Sequence, residues 1–330
     1  MILVWGVPND RPVAAVRAAL ERRHEPVFFL NQHDVLDTEM DLSVNSSVEG
    51  VLRLGADEVE LGAITAAYLR PYDSVRLPEV ADAPPEAAAR AAAFDDAMLC
   101  WSELTSARVV NRPSAMASNQ SKPHQLALIH AQGFRVPETL ITTDAAEVEA
   151  FWQRHGEIIY KSMSGVRSIV SRVTPEHRVR FSGLAHSLTQ FQQWIPGRDV
   201  RVHVAGEEVF ACDVGSSAID YRYPRNGEEA PQIAPYCLPV ELAVRCRRLA
   251  ASLALDLAGI DLRCTPEGEW YCFEVNPSPA FTFYAEVIRQ PIDDAVARLL
   301  ADTRRPAKQH MLPWHDRLHL SVRRCFEAKR

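Results

Sequence analysis

Residues 259–280 read Gly259-Ile-Asp261-Leu-Arg263-Cys, Thr265-Pro266-Glu-Gly268, then Glu269-Trp-Tyr-Cys-Phe-Glu274-Val-Asn276-Pro-Ser-Pro-Ala. Pro266 and Gly268 mark a hairpin turn between two strand-forming runs, and pairing Thr265 with Trp270 gives a four-residue loop. That register sets Asp261 opposite Glu274. Directly opposed residues have Cβ atoms roughly 5 Å apart, and like charges there destabilise a sheet unless a cation lies between them. Asn276, two residues beyond Glu274, falls on the same face and adds an amide oxygen. Two carboxylates and an amide are hard oxygen donors of the kind Mg²⁺ takes while it shares its remaining shell with phosphate. Arg263 on that face offers a plainer alternative, an Asp/Glu/Arg surface network without a metal, and the spacing leaves both open.

Two lysines have positions suited to an anion. Lys122, in Asn119-Gln-Ser-Lys122-Pro-His, stands at the start of a helix that stops at Gly133; a cation there opposes the helix dipole and is favoured only beside an anion. Lys161 ends a short apolar strand over 157–160 and precedes the small polar loop Ser162-Met-Ser-Gly165-Val-Arg167-Ser168, with a further strand expected over 169–173. Strand, lysine, small loop and strand can wrap phosphate oxygens, and so can an ordinary hairpin. Over 188–211, Phe191, Gln193 and Ile195 fall on one side, Pro196-Gly197 makes a turn, and Val200, Val202 and Val204 alternate with Arg201 and His203. This pattern fits two antiparallel strands, or a strand edge holding a flat heterocycle.

The elements that must position these residues follow from the rest of the chain. Strand 2–7, helix 11–23 and strand 26–30 open an α/β layer. Pro84-Pro85 break the chain before a helix over 86–106, whose Phe94, Met98, Trp101 and Leu104 form a core stripe. The 330 residues carry 36 Lys and Arg against 43 Asp and Glu, a net charge of -7, with 47% apolar residues. Disorder and general polyanion binding are excluded as the main character, so nucleic acid is not an expected partner. No apolar run reaches the roughly 18 residues a membrane helix needs; the longest candidate, 249–260, contains Ser252 and Asp256. No Lys or Arg precedes Arg11, so the start reads as a strand rather than a signal peptide and the protein is expected in the cytoplasm. Seven scattered cysteines without a Cys-x-x-Cys pair read as reduced thiols, mostly buried filler. Residues 303–330 hold eight basic side chains against Asp316 and Glu327, a local charge of +6.

Taken in order, these motifs resemble the ATP-grasp superfamily, in its branch of RimK-type ligases and ribosomal peptide maturases. The resemblance runs from about Val110 to Ala301. It implies an α/β and α+β chain in which a Rossmann-like domain (1–110) precedes a central lobe (111–190) and a C-terminal lobe with the metal site (191–302), followed by a basic tail (303–330). The two lobes would clasp ATP. Residue by residue, it implies Lys122 and Lys161 on the ATP phosphates, Lys161 also near the adenine. Gln192-Gln193-Trp194-Ile195 would be the hinge, with the backbone of Gln193, Trp194 and Ile195 against the adenine edge and Asp199 near the ribose. Asp261, Glu274 and Asn276 would hold Mg²⁺, and Arg201 and Arg263 would steady an acyl phosphate. This chain departs from many relatives in having Gly165 as the only glycine of its phosphate loop and Gln193 where an acidic residue is common.

The expected activity is ATP-dependent amide formation between a carboxylate and an amine, releasing ADP and phosphate, on an amino acid or a peptide or protein. The alternative is a noncatalytic ATP-binding regulatory or peptide-binding module. Arg167, Arg172, Arg178, Arg180, Arg198, Arg222 and Arg225 lie in segments expected to flank the site, where they suit either an anionic acceptor or plain solvation as loop arginines. Oligomeric state, including a homo-oligomer, is left open.

Overall fold

A computed structural model describes residues 1–45, 47–161, 170–186, 188–216, 231–302 and 318–322, the last as backbone alone. Gly165, Arg167, the start of the strand expected at 169, Arg222, Arg225, Cys325 and most of the basic tail lie outside the described residues. The chain forms two compact units, residues 1–115 with 291–330, and residues 116–290.

The first unit begins with strand β1 (Ile2–Gly6), whose Ile2, Leu3, Val4 and Trp5 are all buried, as a parallel strand covered on both faces requires. Helix Arg11–Arg22 follows. Its N-cap Asp10 accepts a 2.9 Å bond from the Val13 N–H, and Pro12 supplies a residue with no N–H to satisfy in the first turn. Strands β2 (Val27–Asn31), β3 (Thr38–Val44), β4 (Val48–Leu54), β5 (Asp57–Glu60), β6 (Ala66–Arg70) and β7 (Arg108–Val110) complete the unit. A parallel sheet runs β2-β1-β6-β7, the Rossmann-like arrangement expected of this segment. The antiparallel β3-β4-β5 is extended at β3 by Leu318–Val322, so part of the segment read from sequence as a basic tail is a sheet strand. Helix Pro85–Leu104 buries Phe94, Met98 and Trp101 in the common core, where the spacing placed them.

The second unit holds two sheets. β8 (Thr139–Thr142), β9 (Ile158–Lys161), β10 (Ser171–Arg172) and β11 (Thr189–Gln193) form one, in the order β10-β9-β11-β8. Phe191 and Ile158 face a core with Val148 and Phe151 of helix Ala145–His155. β12 (Arg198–Ala205), β13 (Glu208–Gly215), β14 (Gln232–Pro235), β15 (Leu257–Cys264) and β16 (Trp270–Asn276) form the other, ordered β14-β13-β12-β15-β16. Val200, Val202, Val204, Ile260 and Leu262 are all buried on one face of it, the side of helix Val240–Ser252.

The two strands on either side of Pro196-Gly197 therefore do not pair with each other; β12 pairs antiparallel with β13 instead. β11 and β12 belong to different sheets, and the chain crosses between them at Pro196-Gly197. Gly197 has φ +144°, and a Cβ there would lie 2.2 Å from the Cys264 carbonyl oxygen, so the crossing needs glycine. Of the described cysteines, Cys212, Cys246 and Cys272 are buried free thiols, burial pushing the first two up to about 12, while Cys100 and Cys264 are half-buried and Cys237 is exposed.

Candidate functional site

The face of the five-stranded sheet opposite the valines carries three cross-strand rows. The middle row is Arg201, Asp261 and Glu274; beside it stand His203, Gly259 and Asn276, and on the other side Asp199 and Arg263. Asp261 does face Glu274, though by a different path from the expected turn. Cys264, not Thr265, pairs with Trp270, and Thr265 instead closes the turn by donating its N–H to the Glu269 carbonyl. Continued unbroken, that register would oppose Asp261 to Phe273 and turn Glu274 to the apolar face. A bulge intervenes: Leu262 pairs with Cys272 and Asp261 with Glu274, leaving Phe273 as the extra residue. Bulges re-aim side chains in this way beside functional sites.

Arg201 is buried, and its Nη1 lies 2.6 Å from Asp261 Oδ1. Its guanidinium passes directly over Gly259, where a Cβ would sit 2.0 Å from Nη2 and 2.8 Å from the Pro279 Cβ. Only glycine leaves that path open. Asn276 accepts a 2.9 Å bond from the Ser278 N–H, which fixes its amide at the end of β16. Among the described residues no group of three or more His, Cys, Asp or Glu could hold a metal. An ion here would take two carboxylates and one amide oxygen, an incomplete all-oxygen set that suits Mg²⁺ keeping phosphate or water in its shell.

Arg263 stands differently from the expectation of a phosphate-facing cation. Its Nε and Nη2 bind the two Asp199 oxygens at 2.7 and 2.9 Å, and its Nη1 donates to the Ile195 carbonyl at 2.8 Å. Trp194 lies between Arg172 and Arg263, 4.3 and 4.8 Å from its ring centroid. The Gln193 N–H donates to the Glu138 carbonyl and the Trp194 N–H to the Glu157 carbonyl. The hinge is thus held from both sheets of this unit, and Asp199 is engaged with Arg263.

Lys161 is buried at the end of β9 and donates to Gln192 Oε1 at 3.3 Å, while Gln192 Nε2 donates to Thr139 Oγ1 at 3.0 Å. Gln190, paired with Lys161 across the strands, is fully buried, and among the described residues neither amide atom has a partner. Lys122 opens helix Lys122–Ala131, and one turn on, Gln125 clasps the edge of β16, donating to the Val275 carbonyl at 2.8 Å and accepting its N–H at 3.0 Å. This ties the Lys122 helix to the strand bearing Glu274 and Asn276. Of the flanking arginines, Arg172, Arg178 and Arg198 pair with Glu157, Glu149 and Asp213, so they are engaged within the chain. Sequence reading gave no role to Gly259, His203 or Gln190; their signal is a buried polar or missing side chain that only the cross-strand rows expose.

No family model matches the chain. It is 31% identical over 185 residues to the glutathione synthetase of Neisseria meningitidis serogroup A, covering 50% of this chain and 55% of that protein. To the glutathione synthetase of Salmonella typhimurium it is 28% identical over 137 residues, 38% of this chain and 40% of that protein. The chain spans about half the length, or less, of these curated relatives. Solved structures align over nearly the whole chain. One is the macrocyclase MdnC of Microcystis aeruginosa bound with precursor peptide MdnA, 21% identical, covering 92% of this chain and 100% of that one, with TM-score 0.75. A second is a Chryseobacterium gregarium RiPP-associated ATP-grasp ligase in complex with ADP and a leader and core peptide, 19% identical, covering 94% and 99%, with TM-score 0.79. A third is the ATP-grasp ligase PsnB with minimal precursor, Mg and ADP, 25% identical, covering 92% and 98%, with TM-score 0.73. The order of its sheets and its alignment with these structures show that the chain has the fold of the ATP-grasp superfamily.

Proposed function

We propose that this chain is an ATP-dependent carboxylate-amine ligase of the RimK-type and peptide-maturase branch, acting on a peptide. The observation that carries the reading is the row Arg201, Asp261 and Glu274, in which a bulge turns a second carboxylate toward the first while a buried guanidinium reaches the same place. The partial likeness to glutathione synthetases supports amide formation, and the precursor peptides of the structural neighbours support a peptide over a free amino acid.

In this reading Asp261, Glu274 and Asn276 would hold Mg²⁺, which when bound would supply charge neutralisation for phosphoryl transfer from ATP. Lys161 and Lys122 lie along the phosphates and offset the rest of their charge. The hinge at Gln193, Trp194 and Ile195 takes the adenine, and the Asp199–Arg263 pair holds that hinge in place. The substrate carboxylate takes the γ-phosphoryl group and ADP leaves; the amine then attacks the acyl carbon, losing a proton as phosphate departs. Arg201, with three donor nitrogens on a preorganised fork, steadies the anionic acyl phosphate and the tetrahedral species that follows. No side-chain nucleophile is needed.

Hydroxylamine tests the activated carboxylate directly. With ATP, Mg²⁺ and a peptide rich in acidic side chains, the reading predicts a peptide hydroxamate formed in step with ADP. ATP binding without a hydroxamate or an amide on that peptide would favour a noncatalytic binding module instead.

A further inference from the structure

His203 is completely buried in the row next to Arg201 and Asp261, and the ligase chemistry above gives it no task. Its Nε2 lies 3.4 Å from Arg201 Nε, a long hydrogen bond. A guanidinium can only donate, so Nε2 must carry a lone pair and the ring must be neutral with its proton on Nδ1. Burial, together with the neighbouring Arg201 charge, holds the imidazole well below its ordinary range and agrees with that form. Among the described residues Nδ1 has no partner. A fully buried polar ring with one unsatisfied nitrogen is a costly choice for a strand position that Val or Thr would fill, and among the described residues its polar contact is to Arg201.

That contact completes a frame around the guanidinium. Asp261 takes Nη1, His203 meets Nε, Gly259 leaves the passage beneath Nη2, and the Tyr284 ring lies 5.7 Å from Cζ and 5.1 Å from the imidazole. The contact at Nε lies on the other edge of the plane from the Nη1–Asp261 bond, so the two together oppose rotation of the fork.

We propose that His203, as its Nδ1–H tautomer, is a positioning residue that fixes the rotation of Arg201 so that the guanidinium meets the acyl phosphate. The proposal rests on the ligase reading for its consequence, though not for its geometry. Because a misplacement of about 1 Å at a positioned group costs on the order of 100-fold in rate, loss of the Nε contact should lower kcat by about that factor and leave the KM for ATP near its original value.

Two measurements decide it. The first is made on the resting protein labelled with ¹⁵N-histidine, with the His203 signal assigned by its loss in His203→Gln. The Nδ1–H tautomer is expected; the Nε2–H tautomer or an imidazolium would overturn the contact. The second compares His203→Gln, whose amide reaches the Nε2 position, with His203→Asn, whose amide reaches only the Nδ1 position. Both keep a polar group of similar burial cost, so a merely structural role would move them together. The proposal expects His203→Gln to recover most of the kcat that His203→Asn loses, with KM for ATP unchanged in both; equal kcat in the two variants would contradict it. If His203→Asn does not fold, the tautomer of the original protein decides. If the original protein shows no peptide-dependent ADP release, the ligase reading fails by itself, while the tautomer still decides whether His203 orients Arg201.

Discussion

Arg201 crosses Gly259 so closely that one methyl group on that residue would stand 2.0 Å from the guanidinium Nη2. The glycine has no unusual backbone angle to justify it; its value is the space above it. Gly259→Ala should therefore keep the fold, at an overpacking cost of about 1–3 kcal/mol, and push Arg201 off Asp261. Turnover should fall on the order of 100-fold while ATP binding by calorimetry stays close to that of the original protein. Unchanged turnover would mean that Arg201 can act from another position.

The Asp199–Arg263 pair supports the hinge rather than the reacting groups. Both side chains are mostly buried, and Arg263 also holds the Ile195 carbonyl. Removing one member strands the other, so Asp199→Ala should cost about 3 kcal/mol, read as a lower midpoint in urea unfolding. ATP affinity should fall with it. Arg263→Lys keeps the charge and loses the two-pronged geometry, and should recover only part of the stability.

Much of the site was legible because it lies within short segments. The Thr-Pro-Glu-Gly turn and the Asp261 and Glu274 spacing are local, and they located the carboxylates even though the turn begins one residue earlier than expected and the bulge at Phe273 restores the register. A bulge has no sharp signature in one sequence, since Phe273 is as good a strand residue as its neighbours. The rows joining β12 to β15 were not legible. Alternation along 198–205 shows that Arg201 and His203 share a face, and polar residues on such a face ordinarily meet water. Here they are buried beside residues about 60 positions away, and Arg263 meets Asp199 over a similar separation. The strand at 318–322 was hidden by the charge around it, which suggested a solvated end.

The first unit carries a pH-sensitive carboxyl at Asp95. Asp95 accepts bonds from the Ser74 N–H and hydroxyl at 3.2 and 2.8 Å, yet burial outweighs them and raises its carboxyl to about 6. The folded state thus binds a proton more readily than the unfolded chain, whose Asp titrates near ~3.9. The penalty for the charged form is present above pH 6 and relieved as pH falls through 6 toward 4, so this group adds stability on mild acidification. Relative to Asp95→Asn, the original protein should gain melting temperature between pH 7.5 and pH 5. A difference between the two proteins that does not change with pH would remove Asp95 as the source.

The central claim is that the carboxylates of the hairpin serve attack at the outer phosphate of ATP. It is tested most directly by resolving the nucleotides released when the protein is incubated with ATP, Mg²⁺ and an acidic peptide substrate. The account predicts ADP and phosphate in amounts equal to the amide formed, both lost in Glu274→Ala while ATP is still bound. Peptide-dependent AMP and pyrophosphate would contradict it, because the reacting centre would then be the α-phosphate, and so would an unimpaired Glu274→Ala.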